Sequence, residues 1–486
     1  MRNYSKRQHR KNKRAAATKR TTAKHKAKLS KQASTPPPAP PSTDPPEDSH
    51  GFMALLLTRI SWAQLCGFDG WRKNPAGRPC RKLPRPHLLV GLLFHYSLHL
   101  AGTFAEHLQL LGFVMAESTL SERRMALPFD VFVELLRRIL RPVAHASKHT
   151  EAFYKKLKLV ALDGVEFSLA NTAPINQQMP KGGNQKGRAA FAKLRCSVLV
   201  ELLAHNPLAA RLGLKGESEW KLSLQLLSQL PRQCLLLADR LYGCGAFIIE
   251  ALEAVRQKGG HILIRARESI KAIRLIRQLS DGSQVVEIEV KDPRKKKGTQ
   301  TAQVRQIKAQ VQRAGFRSVE IKLWTSLMDE VRYPASELVA LYMRRWEHEL
   351  YFRELKHMLG VSDLLRSQTV ETAGQEVVAM IIATSLVAGE RAQLKPGQSL
   401  EGRVSFIKTW QYLEPLWLTL QLCGDLLSEE QKNQIVERFY QFISGLTMQK
   451  KRARSCPRVL RQPQQPWPKK RDQPSHSGPI AIQVIA

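Results

Sequence analysis

The residues of this chain best suited to chemistry are four polar side chains at fixed spacing: Tyr342, Arg345, Glu349 and Lys356. They lie within residues 335–359, which contain no glycine or proline and follow Pro334, so the sequence predicts one continuous helix. At about 100° per residue the four side chains share one stripe of that helix, with Arg353 beside it. A carboxylate beside cationic groups indicates either a site for metal ions and phosphates or a buried network of ion pairs.

Apolar residues border this stripe, and the opposite side of the predicted helix is charged. Leu341 and Phe352 fall on one flank and Trp346 and Leu350 on the other, so we expect both flanks to be buried. Polar groups held between buried flanks cost ~2–7 kcal/mol each when they lack partners. The stripe therefore predicts partners from elsewhere in the chain. The face expected to meet solvent comprises Arg344, Glu347, Glu354 and His357.

Two aspartates far upstream are candidates for those partners. Asp163 lies in the apolar run 158–169, which is typical of a β-strand. Asp239 ends the apolar run 234–238 and precedes a predicted helix. Acidic residues at the carboxyl ends of apolar strands are where α/β folds place chemistry. Each aspartate alone is equally typical of a turn or a cap, but with Glu349 they form a candidate catalytic triad.

The spacing Tyr, two residues, Arg, three residues, Glu, six residues, Lys resembles the signature of insertion-sequence transposases of the insertion sequence four family, a branch of the DDE enzymes. With Asp163 and Asp239 included, the resemblance covers residues 157–390. It implies an α/β fold with an RNase H-like catalytic core, a mixed five-stranded sheet flanked by helices. It also implies a β-rich insertion between Asp239 and Glu349, which are 110 positions apart. Leu241 stands where many relatives have glycine, which leaves the geometry of that turn open.

Two aspartates and one glutamate supply the oxygen ligands that a two-metal phosphoryl-transfer site requires. We therefore interpret Asp163, Asp239 and Glu349 as catalytic metal ligands, with Asp163 bridging two Mg²⁺ ions, for which Mn²⁺ substitutes. The resemblance implies binding of terminal inverted repeats, metal-dependent DNA cleavage and strand transfer in cut-and-paste transposition. Phosphates of the transposon end are expected to contact Tyr342, Arg345, Lys356, Arg240 and Arg353.

The net charge of +36 predicts a polyanionic partner. Residues 1–31 alone carry 13 Lys and Arg residues and no acidic residue, and a merely solubilising basic arm is the alternative reading. The expected partner is double-stranded DNA, as transposon ends and target, bound by a homodimer. No apolar run reaches the ~18–20 residues of a membrane span and no signal core follows the N-terminus, so we expect a bacterial cytoplasmic, nucleoid-associated protein without membrane contact. The cysteines lack the spacing of a zinc site.

The chain is expected to divide into seven segments. These are a basic, Pro-rich disordered arm (1–50), a helical N-terminal domain that binds DNA ends (51–152), the first part of the core (153–260), the β-rich insertion (261–328), the second part of the core (329–395), C-terminal helices (396–448) and a basic disordered tail (449–486).

Within the helical domain, residues 103–126 fit either a helix-turn-helix or an ordinary bundle, and Arg123 and Arg124 are candidate DNA contacts. A capping box is predicted at Thr119. The basic Gly-rich loop 181–188 and the hairpin tip 292–298 fit either DNA contacts or solvated loops, and Trp324 is predicted to pack in the core.

Two other functions share these sequence features. A structure-specific, metal-dependent nuclease on the same fold would keep the three acidic residues but would not join DNA strands. An inactive, DNA-binding relative would keep the basic surface alone, because phosphate contacts give salt-sensitive binding without any catalysis.

Overall fold

The computed structural model describes residues 51–73, 82–98, 101–184, 187–268, 270, 272–291, 298–313, 318–359, 364–394, 404–447, 459–460, 469–470 and 480–484. The chain divides into two compact units, 1–45 with 80–83, and 46–79 with 84–486. Everything below concerns the second unit. The predictions for the arm 1–50, for the basic hairpin tip at 292–297, for residues 185–186 of the Gly-rich loop and for most of the tail lie outside the described residues.

The α-helices of the described residues are α1 (Phe52–Leu57), α2 (Trp62–Cys66), α3 (Asp69–Lys73), α4 (Arg85–Ser97), α5 (Phe104–Leu110), α6 (Glu117–Met125), α7 (Phe129–Ile139), α8 (Ala173–Gln178), α9 (Glu219–Leu226), α10 (Gly245–Gln257), α11 (Ala335–Met343), α12 (Trp346–His357), α13 (Val370–Leu394), α14 (Phe406–Cys423) and α15 (Glu429–Ser444).

The strands are β1 (Phe153–Tyr154), β2 (Leu157–Ser168), β3 (Gly183–Asn184), β4 (Gly187–Arg188), β5 (Lys193–Glu201), β6 (Asn206–Leu212), β7 (Cys234–Ala238), β8 (His261–Arg265), β9 (Ala272–Gln278), β10 (Gln284–Lys291), β11 (Thr299–Arg313), β12 (Val319–Thr325), β13 (Val459–Leu460), β14 (Lys469–Lys470) and β15 (Ile480–Val484).

The main sheet has the order β6-β5-β2-β7-β8-β12-β11-β10-β9. Its first three strands are antiparallel neighbours, whereas β2, β7 and β8 run parallel. The five strands β6, β5, β2, β7 and β8 form the mixed five-stranded sheet of the RNase H-like class. The predicted fold class is therefore confirmed. Strand β8 belongs to this core sheet and not to the insertion, where the sequence reasoning had placed it, because its residues pair in parallel with β7.

The insertion consists of β9 to β12, which extend the core sheet through antiparallel pairing of β12 with β8. Trp324 of β12 is fully buried, as predicted. Strand β9 was missed because both of its faces are exposed, so its sequence has no alternation of apolar and polar residues. Its apolar side chains Ile273, Leu275 and Ile276 meet solvent at the edge of the sheet.

The predicted single helix over residues 335–359 is wrong, because α11 ends at Met343 and α12 begins at Trp346. Arg344 and Arg345 form a turn whose backbone bonds span three residues, as in the bond from Arg345 N to Tyr342 O at 2.9 Å. This break rotates α12 relative to α11. Trp346, predicted to be buried, is therefore 54% exposed.

Helix α13 is the central helix of the unit, with α4, α7 and α14 among its neighbours. It is long and apolar enough to cross a membrane, contrary to the expectation that no such segment exists, but 83% of its apolar window is buried inside the protein. Arg124, predicted to contact DNA, instead donates hydrogen bonds to Ser367 Oγ and Thr372 O at 2.9 Å. Helix α6 begins at Glu117, so the capping box predicted at Thr119 is wrong.

The C-terminal strand β15 pairs antiparallel with β11, in the register Ala309 with Val484. These five residues lie in the segment that the sequence predicts to be disordered. The pairing follows from the alternating apolar residues of Ile480–Val484, which cover an otherwise open stretch of β11.

Candidate active site

Asp163 and Asp239 lie next to each other on neighbouring parallel strands. The last paired residues of β2 and β7 are Leu162 and Ala238, and each aspartate is the next residue in its chain. Neighbouring strands are about 4.8 Å apart, and residues at equivalent positions point to the same face. The two carboxylates therefore occupy one edge of the sheet, as the sequence predicted.

Burial and the second aspartate raise the pKa of Asp163. Its side chain is 17% exposed, and desolvation followed by the negative charge of Asp239 raises its pKa to about 7. The amide of Gly164 donates a hydrogen bond to Asp163 Oδ1 at 2.9 Å. Asp239 Oδ1 accepts a hydrogen bond from the amide of Leu241 at 2.6 Å, so this aspartate also fixes its own turn. A buried carboxylate beside a second one is stabilised by a cation or by taking up a proton.

Arg345 connects Asp163 to the third acidic residue. Its Nη1 lies 3.2 Å from Asp163 Oδ2, and its Nη2 lies 3.2 Å from Glu349 Oε1. Although burial disfavours the charged guanidinium, the neighbouring Tyr342 and Asp163 raise the pKa of Arg345. One guanidinium between two carboxylates brings Glu349, in the first turn of α12, to the same edge of the sheet as the aspartates.

Tyr342 completes this group from the last turn of α11. Burial raises its pKa to about 12, and the nearby Arg345 opposes that rise. Its hydroxyl therefore keeps its proton at neutral pH and can donate a hydrogen bond. The structure thus brings together five of the predicted site residues: Asp163, Asp239, Glu349, Arg345 and Tyr342.

A set of buried contacts holds α12 against the hairpin of β5 and β6. Glu347 accepts hydrogen bonds from Leu203 N and from Arg344 Nε, the latter at 2.8 Å. His348 Nε2 lies 3.0 Å from Val198 O, and Val198 is the residue of β5 paired with Asp163. These contacts fix Glu349 relative to Asp163.

These contacts between α12 and the β5–β6 hairpin form a clamp of α12, and the sequence did not predict it. The prediction of one unbroken helix placed Glu347 and Arg344 on the solvent-exposed face, yet Glu347 is buried and Arg344 is half-buried. Glu347, His348 and Glu349 carry no local signal of this burial, because three consecutive residues span about 200° of a helix and fit a wide solvated face.

Comparisons with known proteins agree with this arrangement. Residues 154–386 match the protein family described as "Transposase DDE domain". The chain is also similar to transposase InsG for insertion sequence element IS4 of Escherichia coli (strain K12), with 27% identity over 354 residues that cover 69% of this chain and 74% of the relative. The chain belongs to the DDE transposases of the insertion sequence four family. The predicted family is confirmed, and as a DDE transposase the protein acts on DNA.

One solved structure is similar to this DDE transposase over 86% of its chain and 88% of the other chain. It is the cryo-EM structure of piggyBac transposase synaptic complex with hairpin DNA, with a TM-score of 0.40 and 11% sequence identity.

The remaining predicted DNA-binding residues of the transposase lie around the acidic group. Arg240 directly follows Asp239 and is exposed. Arg353 is exposed on α12, and Lys356 lies two turns beyond Glu349, about 10 Å along the helix axis. These positions suit contacts to DNA outside the reacting phosphate, and their role remains a prediction.

The donor set of the transposase fits a hard divalent cation. Three carboxylates converge on one edge of the sheet, and burial together with the negative charge of Asp239 raises the pKa of Asp163 even though Arg345 opposes that rise. Among the described residues no three Asp, Glu, His or Cys side chains already stand at metal-binding positions. Arg345 bridges Asp163 and Glu349, so the guanidinium supplies the positive charge between them.

Asp163 gives a pH-dependent prediction for the metal-free transposase. Its folded-state pKa is about 7 against an ordinary value of 3.8, so its ionisation destabilises the fold as pH rises through this window. We expect Asp163→Asn to raise the free energy of unfolding at pH 8 by about 2–4 kcal/mol, and the difference to shrink towards pH 4. Urea unfolding in EDTA measures this. A variant no more stable than wild type at pH 8 would show that ionisation of Asp163 does not destabilise the fold.

Proposed function

We propose that this transposase binds the terminal inverted repeats of a bacterial insertion sequence and moves the element by metal-dependent DNA cleavage and strand transfer. The observation that carries the proposal is the convergence of Asp163, Asp239 and Glu349 on one edge of an RNase H-like sheet. Family membership supports the reaction class, and the net charge of +36 supports a DNA substrate.

In the proposed site the three acidic residues would hold two Mg²⁺ ions, for which Mn²⁺ would substitute. When bound, the ions would activate the attacking oxygen and stabilise the leaving oxygen of an in-line displacement. Asp163 and Asp239 are fixed by the backbone of neighbouring strands, and Glu349 by the clamp of α12, so movement of the side chains alone would bring the carboxylates onto the ions.

Arg345 and Tyr342 are proposed to hold the phosphate. The guanidinium of Arg345 now spans Asp163 and Glu349, and cations on those carboxylates would free it to bind phosphate oxygens. Tyr342, protonated at neutral pH, donates a hydrogen bond to the same group. Further contacts along the DNA backbone come from Lys356, Arg240 and Arg353.

We further propose that the helices of residues 51–152 contribute to binding of the DNA ends, that a homodimer forms in the DNA complex, and that the protein works at the nucleoid in the bacterial cytoplasm.

A strand-transfer assay tests the proposal. The purified protein is incubated with a labelled duplex carrying the terminal repeat of its element and with a supercoiled plasmid, in Mg²⁺, Mn²⁺ or EDTA. We expect labelled plasmid in both metals and none in EDTA, and a duplex with a scrambled repeat as control should stay unjoined. Cleavage without joining would instead identify a nuclease, and the absence of both would identify an inactive relative.

A further inference from the structure

A fourth acidic residue, Glu219, lies behind the two aspartates. It begins α9, where Ser218 caps the helix. Its carboxyl group rests on Gly164, the neighbour of Asp163, so closely that a Cβ added at residue 164 would lie 2.1 Å from Glu219 Cδ. A Cβ at this point of β2 would push the Glu219 carboxylate aside.

Hydrogen bonds also tie Glu219 to the turn that carries Asp239. Tyr242, three residues after Asp239 and fully buried, donates its hydroxyl proton to Glu219 Oε1 at 2.7 Å. Ser223 of the same helix donates to the Tyr242 hydroxyl at 3.1 Å. Glu219 is therefore held in place by contacts to both chain segments that supply the aspartates.

The charge of Glu219 acts on both aspartates. Burial raises the pKa of Glu219, the Tyr242 hydrogen bond opposes this rise, and the charge of Asp239 adds to it. Glu219 in turn contributes to the raised pKa of Asp163. A third negative charge that acts on the two aspartates adds repulsion that a bound divalent cation would relieve.

We propose that Glu219 is an accessory carboxylate of the cation site, whose negative charge strengthens the binding of divalent ions held by Asp163 and Asp239. The inference rests on the proposed metal-dependent function. The Tyr242 hydroxyl donates to the Glu219 carboxylate beside Gly164, but the effect on the cations comes from the charge of Glu219 and not from this hydrogen bond.

Mn²⁺ titration of the full-length protein without DNA tests this inference, with free Mn²⁺ followed by electron paramagnetic resonance. Glu219→Gln keeps the size and an acceptor for Tyr242 but removes the charge, and we expect the Kd for Mn²⁺ to rise by about fivefold or more. Glu219→Asp keeps the charge and should restore most of the affinity. Tyr242→Phe keeps the Glu219 charge and should change the Kd by less than about twofold.

Glu166→Gln is the matched control. Glu166 lies on β2, the strand of Asp163, is paired with Arg195 at 2.9 Å and is 46% exposed. The substitution removes the same charge and should leave the Kd unchanged. Asp163→Asn distinguishes a failure of the accessory role from a failure of the proposed function. If Asp163→Asn weakens binding and Glu219→Gln does not, or if Tyr242→Phe weakens it as much as Glu219→Gln, the accessory role is overturned. If Asp163→Asn itself binds Mn²⁺ like wild type, the proposed function fails.

Discussion

Replacing Asp239 with asparagine is expected to lower the rate of strand cleavage by about 10³-fold, equivalent to some 4 kcal/mol of transition-state stabilisation. The substitution keeps the size of the side chain and an oxygen that can accept the hydrogen bond from Leu241 N, so the turn after β7 should persist. It removes one of the two charges that stand side by side at the edge of the sheet. Single-turnover cleavage of a labelled terminal repeat in Mg²⁺ measures the effect.

DNA binding supplies the control for this experiment. The affinity of Asp239→Asn for the terminal repeat should equal or exceed that of wild type, because the loss of a negative charge favours binding to phosphates. Glu166→Gln carries the same change of charge and should cleave at the wild-type rate. A variant of Asp239 that retains more than about a tenth of wild-type cleavage would exclude this residue from the catalytic group.

The second large effect concerns stability and the attachment of the insertion. Arg305 of β11 is fully buried, and its guanidinium pairs with Asp281, in the turn between β9 and β10. The same carboxylate accepts a hydrogen bond from Ala335 N at 2.8 Å, at the start of α11, the helix that carries Tyr342. The ion pair therefore joins the insertion to the active-site helix.

Asp281→Ala is expected to lower the free energy of unfolding by about 3–5 kcal/mol, because it leaves the buried guanidinium of Arg305 without its counter-charge. Urea unfolding measures the loss. Glu287→Ala is the matched control, since Glu287 pairs with Arg274 on the exposed side of the same insertion and should cost less than about 1 kcal/mol. Equal losses in the two variants would show that the buried pair does not stabilise the insertion.

The sequence predicts the acidic residues and the sheet because these rest on short-range patterns. The apolar runs ending near Asp163 and Asp239 are strands in the structure, and their parallel pairing places the carboxylates side by side. The signature spacing around Glu349 adds the third acidic residue. Each of these features depends on residue type and local order, which a single sequence displays directly.

The break between α11 and α12 had no such signal. Residues 335–359 contain no helix-breaking residue, so local propensity favours one helix. Tertiary contacts coincide with the break, because Glu347 and His348, just after it, make buried hydrogen bonds to the β5 and β6 hairpin. The orientation of Trp346 was wrong for the same reason.

The sequence alone likewise did not indicate Glu219 and Tyr242 as neighbours of the acidic residues. Glu219 is an acidic residue in the first turn of a helix, which is common at capped N-termini and suggests nothing further. Only the fold brings its carboxylate onto Gly164, 55 positions earlier in the chain. Long-range proximity of this kind requires the strand pairing to be known first.

The central claim is that Asp163, Asp239 and Glu349 share divalent cations. Iron-directed cleavage of the polypeptide tests it most directly: Fe²⁺ replaces Mg²⁺ in the full-length protein, ascorbate and peroxide generate hydroxyl radicals at the bound ion, and the fragments are mapped by mass spectrometry. The account predicts backbone cuts near residues 163, 239 and 349 together, suppressed by excess Mg²⁺ and absent in Asp163→Asn. Cuts at one of these segments alone, or cuts unaffected by Mg²⁺, would contradict it.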